Sequence, residues 1–310
     1  MGRMTRKLVA TAFGAPREVL TVVDVELPTA SVGTVTVDVR AAGLNPFDVK
    51  SVQGVMGEDP AKLPLQIGNE CSGVVREAAA GTGPAVGDRV VVYPVSGAFA
   101  ETVVAPAASV HTLPDTVDFD QAAGLLLAGV TAYDLVETLD ITETDTVLVH
   151  GGAGAVGSIA VVLAVSRGAA VIATASPANH EAVRALGATP VDHHSVLLDA
   201  VRSAATTPVT AVIDTVGVDD AIDVSLELVE PGRIASIAAW GRAGDGITIL
   251  DGSTDASKRH RRDAVQPLLA AAADGRIVIE VAGTSTFDDA ADSFDALAGR
   301  HPRGKYILHP

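Results

Sequence analysis

The chain has a single cysteine, Cys71, in 310 residues. One thiol excludes an internal disulfide and any zinc site built from several thiolates, and it is expected as a buried free thiol suited to a reducing cytoplasm. Basic residues are also scarce. The 22 Lys and Arg against 38 Asp and Glu leave a formal charge of −16, which repels phosphate backbones and anionic membranes. Nucleic acid is therefore not an expected partner, and the one basic run, Lys258 to Arg262, reads as the solvated start of a helix. No apolar stretch is long and unbroken enough to span a bilayer, "KLVATAFGAP" is too short and turn-rich for a signal peptide, and Arg6 breaks the myristoylation pattern. The expectation is a cytoplasmic protein with no membrane partner.

What is present is a compact composition, 48% hydrophobic and 19% charged, on a chain long enough for about two domains. From Leu8 to about Val110 the texture is short β-rich runs such as "VLTVVDVEL", "GTVTVDVRAAG" and "DRVVVYP", with period-two alternation and Gly-Pro or Gly-Asp punctuation. That pattern predicts a mostly antiparallel, partly barrel-like domain. After a buried helical stretch at 113–139 the texture changes to continuous apolar runs, "TVLVHG", "AAVIATAS", "ATPVD", "TAVIDTVG" and "GRIASIAAWG". Helical segments at 156–167, 179–186, 196–204 and 220–229 separate them, and the Ala run at 270–273 reads as a helix end. Strands apolar on both faces that alternate with helices predict an α/β fold with a parallel sheet covered on both sides. The tail holds a strand, an acidic helix and a last strand; pattern alone leaves open whether it extends the parallel sheet or returns to the first domain.

"VLVHGGAGAVGSIAVV" places Gly152-x-Gly154-x-x-Gly157 directly after an apolar strand and before an apolar helix. In that context the glycines permit a tight turn, close approach of a pyrophosphate to the backbone, and close packing of helix on strand. The N–H groups of the helix start, at Ala155 and Val156, face the phosphates. The next strand ends in Ala175-Ser176 with no acid before Glu181, which leaves room for a 2′-phosphate and favours NADPH over NADH. With no Lys or Arg before Arg184, the candidate phosphate partners are Ser176, Asn179, His180 and the pair His193-His194.

These residues, with "AAGLNPFDVKSVQG", "PLQIGNECSGVV", "GLLLAGVTAYDLV", "VIDTVG" and "RGKYIL", resemble the medium-chain dehydrogenase/reductases, in the zinc-free branch of quinone oxidoreductases, ζ-crystallin and alkenal/enone reductases. The resemblance runs nearly end to end. It implies a discontinuous GroES-like catalytic domain, residues 1–117 and 275–310, around a Rossmann NADP-binding domain at 118–274, and a homodimer. Zinc-dependent members carry a Cys where this chain has Asn45 and a His where it has Asn69, so a catalytic metal is not expected. The implied reaction is hydride transfer from NADPH to a quinone or an α,β-unsaturated carbonyl.

Within "GLNPFDVK", Asn45 suits a helix N-cap, Pro46 the first helical position and Asp48 the third. Lys50 is not required by that cap and becomes the candidate electrostatic partner for the forming enolate or hydroquinone oxygen. Asn45 is also a candidate at the nicotinamide ribose. The resemblance adds Thr131 beside the nicotinamide, Val216 and Ala239-Trp240 at strand ends, and Lys305 as cofactor contacts. Two other readings remain at this stage: an enoyl-thioester reductase, and a non-catalytic NADPH-binding protein of the ζ-crystallin kind.

Overall fold

The structure, a computed structural model, describes residues 3–79, 81, 83–299 and 302–310. The chain divides into two compact units, Met1–Leu127 with Ala272–Pro310, and Ala128–Ala271.

In the first unit, a seven-stranded sheet runs Val281–Thr286, Lys305–His309, Thr34–Leu44, Cys71–Ala78, Arg89–Val92, Val110–Thr112, with Thr102–Pro106 also paired to Thr34–Leu44. Every pair is antiparallel except the first. A second sheet joins Leu20–Glu26, Met4–Ala10 and Leu65–Gln66. Alternation along Thr34–Leu44 sends Val35, Val37 and Val39 into one aliphatic core with Val75, Val90, Val92, Phe99 and Phe294, which is why Thr/Val-rich runs form these strands. Tyr306 pairs with Leu44 and Leu308 with Ala42, so the last strand returns to the first sheet. The helical stretch expected at 113–139 forms two helices, Phe119–Ala123 and Leu126–Thr138. The break falls at Gly124, where a Cβ would lie 2.9 Å from Ile279 and 3.3 Å from Lys305.

The second unit is a six-stranded parallel sheet in the order Thr189–Asp192, Ala170–Ala175, Thr146–His150, Ala211–Asp214, Ile234–Ser236, Thr248–Ile249. The central strands are wholly buried, as continuous apolar runs require. Helices Ala155–Ser166, His180–Ala185, Leu197–Ala204 and Asp219–Leu228 connect successive strands, within two residues of the ranges the sequence pattern predicts. The strand order reverses on either side of Thr146–His150, so the turn after His150 opens at the switch point where sheets of this kind bind ligands.

Among the described residues no helix is long and apolar enough to cross a membrane.

Candidate active site

In the parallel-sheet unit, the strand ending at His150 runs into a turn of four residues, 151 to 154, before the helix Ala155–Ser166, whose N-cap is Gly154. Gly157 must be glycine for packing: a Cβ there would lie 2.2 Å from the Gly151 carbonyl oxygen. Gly154 differs. It is exposed, its φ of −76° suits any residue, and a Cβ would come no nearer than 3.3 Å to the protein. Among the described residues, the closest atom to an added Cβ at 154 is the Gly151 carbonyl oxygen, a tight contact and a far milder one than at Gly157. The helix start offers the N–H groups and positive dipole end that bind phosphate.

The turn rests on a rigid floor. His150 is buried, and the Ser225 hydroxyl it meets at 3.1 Å donates to the Ala221 carbonyl, which makes the His150 Nε2–H the donor of that pair. Burial pushes the imidazole down to about 4, against the pull of Asp214, so it is neutral at pH 7. Asp214, also buried, accepts the N–H groups of Val216 and Gly217 and the Ser236 hydroxyl, while Ser236 Oγ accepts from Ala238 and Ala239. One carboxylate thus fixes the loops carrying Val216 and Ala239. Val216 and Trp240 are about half exposed at those strand ends, whereas Ala239 is buried.

Ala175 ends its strand buried, with Asp192 beside it on the neighbouring strand. Asn179 donates to the Ser176 hydroxyl at 3.2 Å, and the His180 ring meets the Ala175 carbonyl at 3.3 Å. His193 and His194 are exposed, with ring centroids 4.0 Å apart. Among the described residues, Asp192, His193 and His194 are the one set of three possible metal-ligating side chains whose donor atoms lie within 4.8 Å of one another. Thr131 receives a 3.4 Å bond from Arg261. Arg261 and His260 also reach buried Asp134, at 3.0 and 3.1 Å, and Ser257 donates to the same carboxylate. The basic run at 258–262 lies at the start of a helix, Asp255–Ala273, with Lys258, Arg259 and Arg262 exposed, but His260 and Arg261 depart from the expected solvated face and turn inward to satisfy a buried acid.

The first unit holds a second polar cluster. Pro46–Val52 is a short helix with Asn45 as N-cap, Pro46 first and Asp48 third, and the Asp48 carboxylate accepts the Asn45 N–H at 2.9 Å, as the cap pattern predicts. Asp48 also accepts from the Gly68 N–H and the Asn69 amide. The Asn45 amide is turned instead toward a partner the sequence pattern does not reveal. Its Nδ2 donates to Glu70 Oε1 and the Gly43 carbonyl, both at 3.1 Å, and its Oδ1 accepts from the Lys305 ammonium at 2.5 Å. Lys305 donates to Glu70 Oε1 at 3.1 Å as well, and Glu70 Oε2 accepts the Leu127 N–H at 2.9 Å. Asn45, Asp48, Glu70 and Lys305 are all no more than 4% exposed. Gly43 admits this approach: a Cβ there would lie 2.2 Å from the Ala123 carbonyl and 3.0 Å from Glu70 Oε1. Burial pushes the Asp48 carboxyl up to about 6, opposed by its N–H donors and the Lys305 charge. Cys71 is free and buried, its thiol driven further from ionisation by burial and by Glu70.

Of the predicted residues, Asn45 and Lys305 are brought together. Lys50 lies exposed in the last turn of its helix and its ammonium pairs with no described residue. Sequence reasoning missed Glu70 and the buried role of Asp48; the signal was an acid after "GN", in a β-rich run that otherwise alternates apolar and small residues.

A doubly wound dinucleotide-type sheet joined in one chain to a GroES-like barrel is the fold of a large dehydrogenase class, and known proteins agree. Residues 31–115 match the alcohol dehydrogenase GroES-like domain family and residues 155–259 the zinc-binding dehydrogenase family. The chain belongs to the medium-chain dehydrogenase/reductase superfamily, in its quinone oxidoreductase branch. The quinone oxidoreductase of Coxiella burnetii is 28% identical with a TM-score of 0.84, covering 99% of this chain and 100% of that one. Mycobacterial Rv1454c, solved as an NADPH complex, is 30% identical with a TM-score of 0.84 over 99% and 100%. The mouse synaptic vesicle membrane protein VAT-1 homolog is 35% identical over 221 residues, 69% of this chain and 54% of the relative. The chain thus spans about half the length of the curated relatives it matches. The second family's description implies zinc, and the buried cluster does not fit it. The side chains joined there are two asparagines, two carboxylates and a lysine, with neither thiolate nor imidazole among them.

Proposed function

We propose that this chain is an NADPH-dependent reductase that passes hydride to a quinone or an α,β-unsaturated carbonyl without zinc. The observation that carries the reading is Gly154, an exposed position with ordinary backbone angles where an added Cβ would meet no described atom nearer than 3.3 Å, at the N-cap of a helix on the switch point. A ligand that must reach the backbone accounts for it. Bound NADPH supplies the hydride. Gly152, Gly154, Ala155, Val156 and Gly157 hold its pyrophosphate through backbone N–H groups and the helix dipole. Ala175 and Ser176 put no acid at the end of their own strand, Asp192 standing beside Ala175 on the neighbouring one, and Asn179, His180 and His194 are the polar partners of the 2′-position. Val216, Ala239, Trp240 and Thr131 flank the nicotinamide end.

For the acceptor, the protein has to hold the carbonyl and balance the charge that develops on its oxygen. Lys50 is assigned that balancing charge: its ammonium is exposed and pairs with no described residue, hence available to an incoming oxygen. Asn45, locked by Lys305 and Glu70, acts as a fixed polar wall. A homodimer in the cytoplasm belongs to the same reading.

The test is NADPH and NADH oxidation with 1,4-benzoquinone, methyl vinyl ketone and a crotonyl thioester. Turnover with either of the first two, faster with NADPH than with NADH, is expected. Turnover with the thioester alone would replace this reading by an enoyl-thioester reductase, and tight NADPH binding with no turnover by a binding role.

A further inference from the structure

We infer that Asp192, His193 and His194 hold one divalent transition-metal ion, which completes the seat of the 2′-phosphate; this second role rests on the NADPH reading above. The strand Thr189–Asp192 ends at Asp192, and the turn beyond it folds back on that residue. Asp192 Oδ1 accepts the His194 N–H at 3.0 Å, and the Asp192 carbonyl accepts the Ser195 N–H at 3.2 Å and the Ser195 hydroxyl at 2.6 Å. Within this turn the two imidazoles and the carboxylate each offer a donor atom, all within 4.8 Å of one another. Tetrahedral ligation at about 2.0–2.1 Å needs donors about 3.3 Å apart. Closure therefore asks for about 1.5 Å of movement or less, from two exposed histidines whose ring nitrogens bond to no described residue.

The charge balance of the neighbourhood supplies the reason for an ion. Asp192 pairs in parallel register with Ala175, the strand end to which the reading above brings the 2′-phosphate. A phosphate dianion calls for positive charge. Yet from Ser176 to Val201 the one Lys or Arg is Arg184, which is paired with Glu181, and Asp192 adds a negative charge beside Ala175. Two neutral imidazoles and one carboxylate carry −1; with a divalent ion the same set carries +1. Imidazole together with carboxylate selects a borderline ion such as Zn²⁺. Three protein ligands leave the fourth position open, and a phosphate oxygen fills it, so His194 meets the 2′-phosphate through the ion. This site is separate from the catalytic zinc whose ligands are missing at Asn45 and Asn69, and it acts on cofactor affinity, not on the hydride step.

The experiment titrates chelator-treated protein with ZnCl₂ against a chromophoric zinc indicator, without nucleotide, for the wild type, Asp192→Asn and the double variant His193→Ala/His194→Ala. Both histidines are exposed, and Asp192→Asn keeps an oxygen for the His194 N–H, so the variants should fold. Expected is about one Zn²⁺ per chain, held by the wild type on the order of tenfold or more tightly than by either variant. NADPH and NADH affinities are then read by nucleotide fluorescence, in chelator and with one equivalent of Zn²⁺. In the wild type, zinc should tighten NADPH on the order of tenfold and leave NADH within about threefold; in Asp192→Asn the zinc-dependent gain should vanish. Zinc uptake by the wild type no tighter than by the variants, no zinc-dependent gain for NADPH, or an equal gain for NADH would each overturn the proposal. NADPH binding in chelator tests the reductase reading and the zinc-dependent gain tests this one, so the two fail separately.

Discussion

Two glycines three residues apart should respond to the same substitution in opposite ways. In Gly157→Ala the new methyl would sit 2.2 Å from the Gly151 oxygen and 2.8 Å from its carbonyl carbon, about 1 Å closer than packed atoms allow. Because both partners are backbone, relief requires the helix Ala155–Ser166 to move off its strand, at a cost of about 1–3 kcal/mol or more. A fall of several degrees in melting temperature and weak NADPH binding should follow together. In Gly154→Ala the nearest atom is 3.3 Å away and φ is −76°, so the fold should lose only a few tenths of a kcal/mol to about 1, the cost of alanine at an N-cap. The methyl nonetheless projects where the pyrophosphate must approach. NADPH affinity, read by nucleotide fluorescence titration, should drop at least tenfold, about 1.4 kcal/mol. Unchanged affinity in a fully folded Gly154→Ala protein would refute the claim that a ligand dictates this glycine.

His150 gives a pH prediction: its folded value lies near 4 against an ordinary 6.5, so its contribution is present above 6.5 and is lost as pH falls through 4. That is up to about 3 kcal/mol, and thermal melts from pH 7 to 4.5 should show a shallower acid limb for His150→Leu than for wild type. Asp48, raised from 3.8 to about 6, works in the other direction, its contribution present below 3.8 and lost as pH rises through 6, so the difference between the two proteins is the quantity to read. Ser176→Asp should lower NADPH affinity on the order of tenfold or more while sparing NADH, because a carboxylate there repels a 2′-phosphate; equal loss for both nucleotides would displace the phosphate assignment. Lys50→Met should lower turnover on the order of ten- to a hundredfold with NADPH binding intact, and unchanged turnover would remove Lys50 from the reaction.

What was legible in the sequence was local. The Gly152–Gly157 spacing between an apolar strand and an apolar helix, and the helices between buried strands, depend on period and turn chemistry that neighbours in sequence display. The cap at Asn45 to Asp48 was legible for the same reason. The lysine that meets Asn45 was not, since Lys305 and Glu70 lie 260 and 25 residues away in sequence and converge only when the last strand pairs with Thr34–Leu44. Sequence reasoning reached for the nearest cation, Lys50, which the fold leaves exposed. The inward turn of His260 and Arg261 escaped notice on the same ground: it is set by a tertiary neighbour, Asp134.

The most direct test of the central claim, metal-free hydride transfer from NADPH, is one assay of the wild-type protein. After dialysis against a strong chelator, NADPH oxidation is followed at saturating acceptor, with and without added Zn²⁺. The account predicts the same turnover in all three conditions, before dialysis, after it, and with zinc restored. Turnover abolished by the chelator and recovered with Zn²⁺ would contradict it.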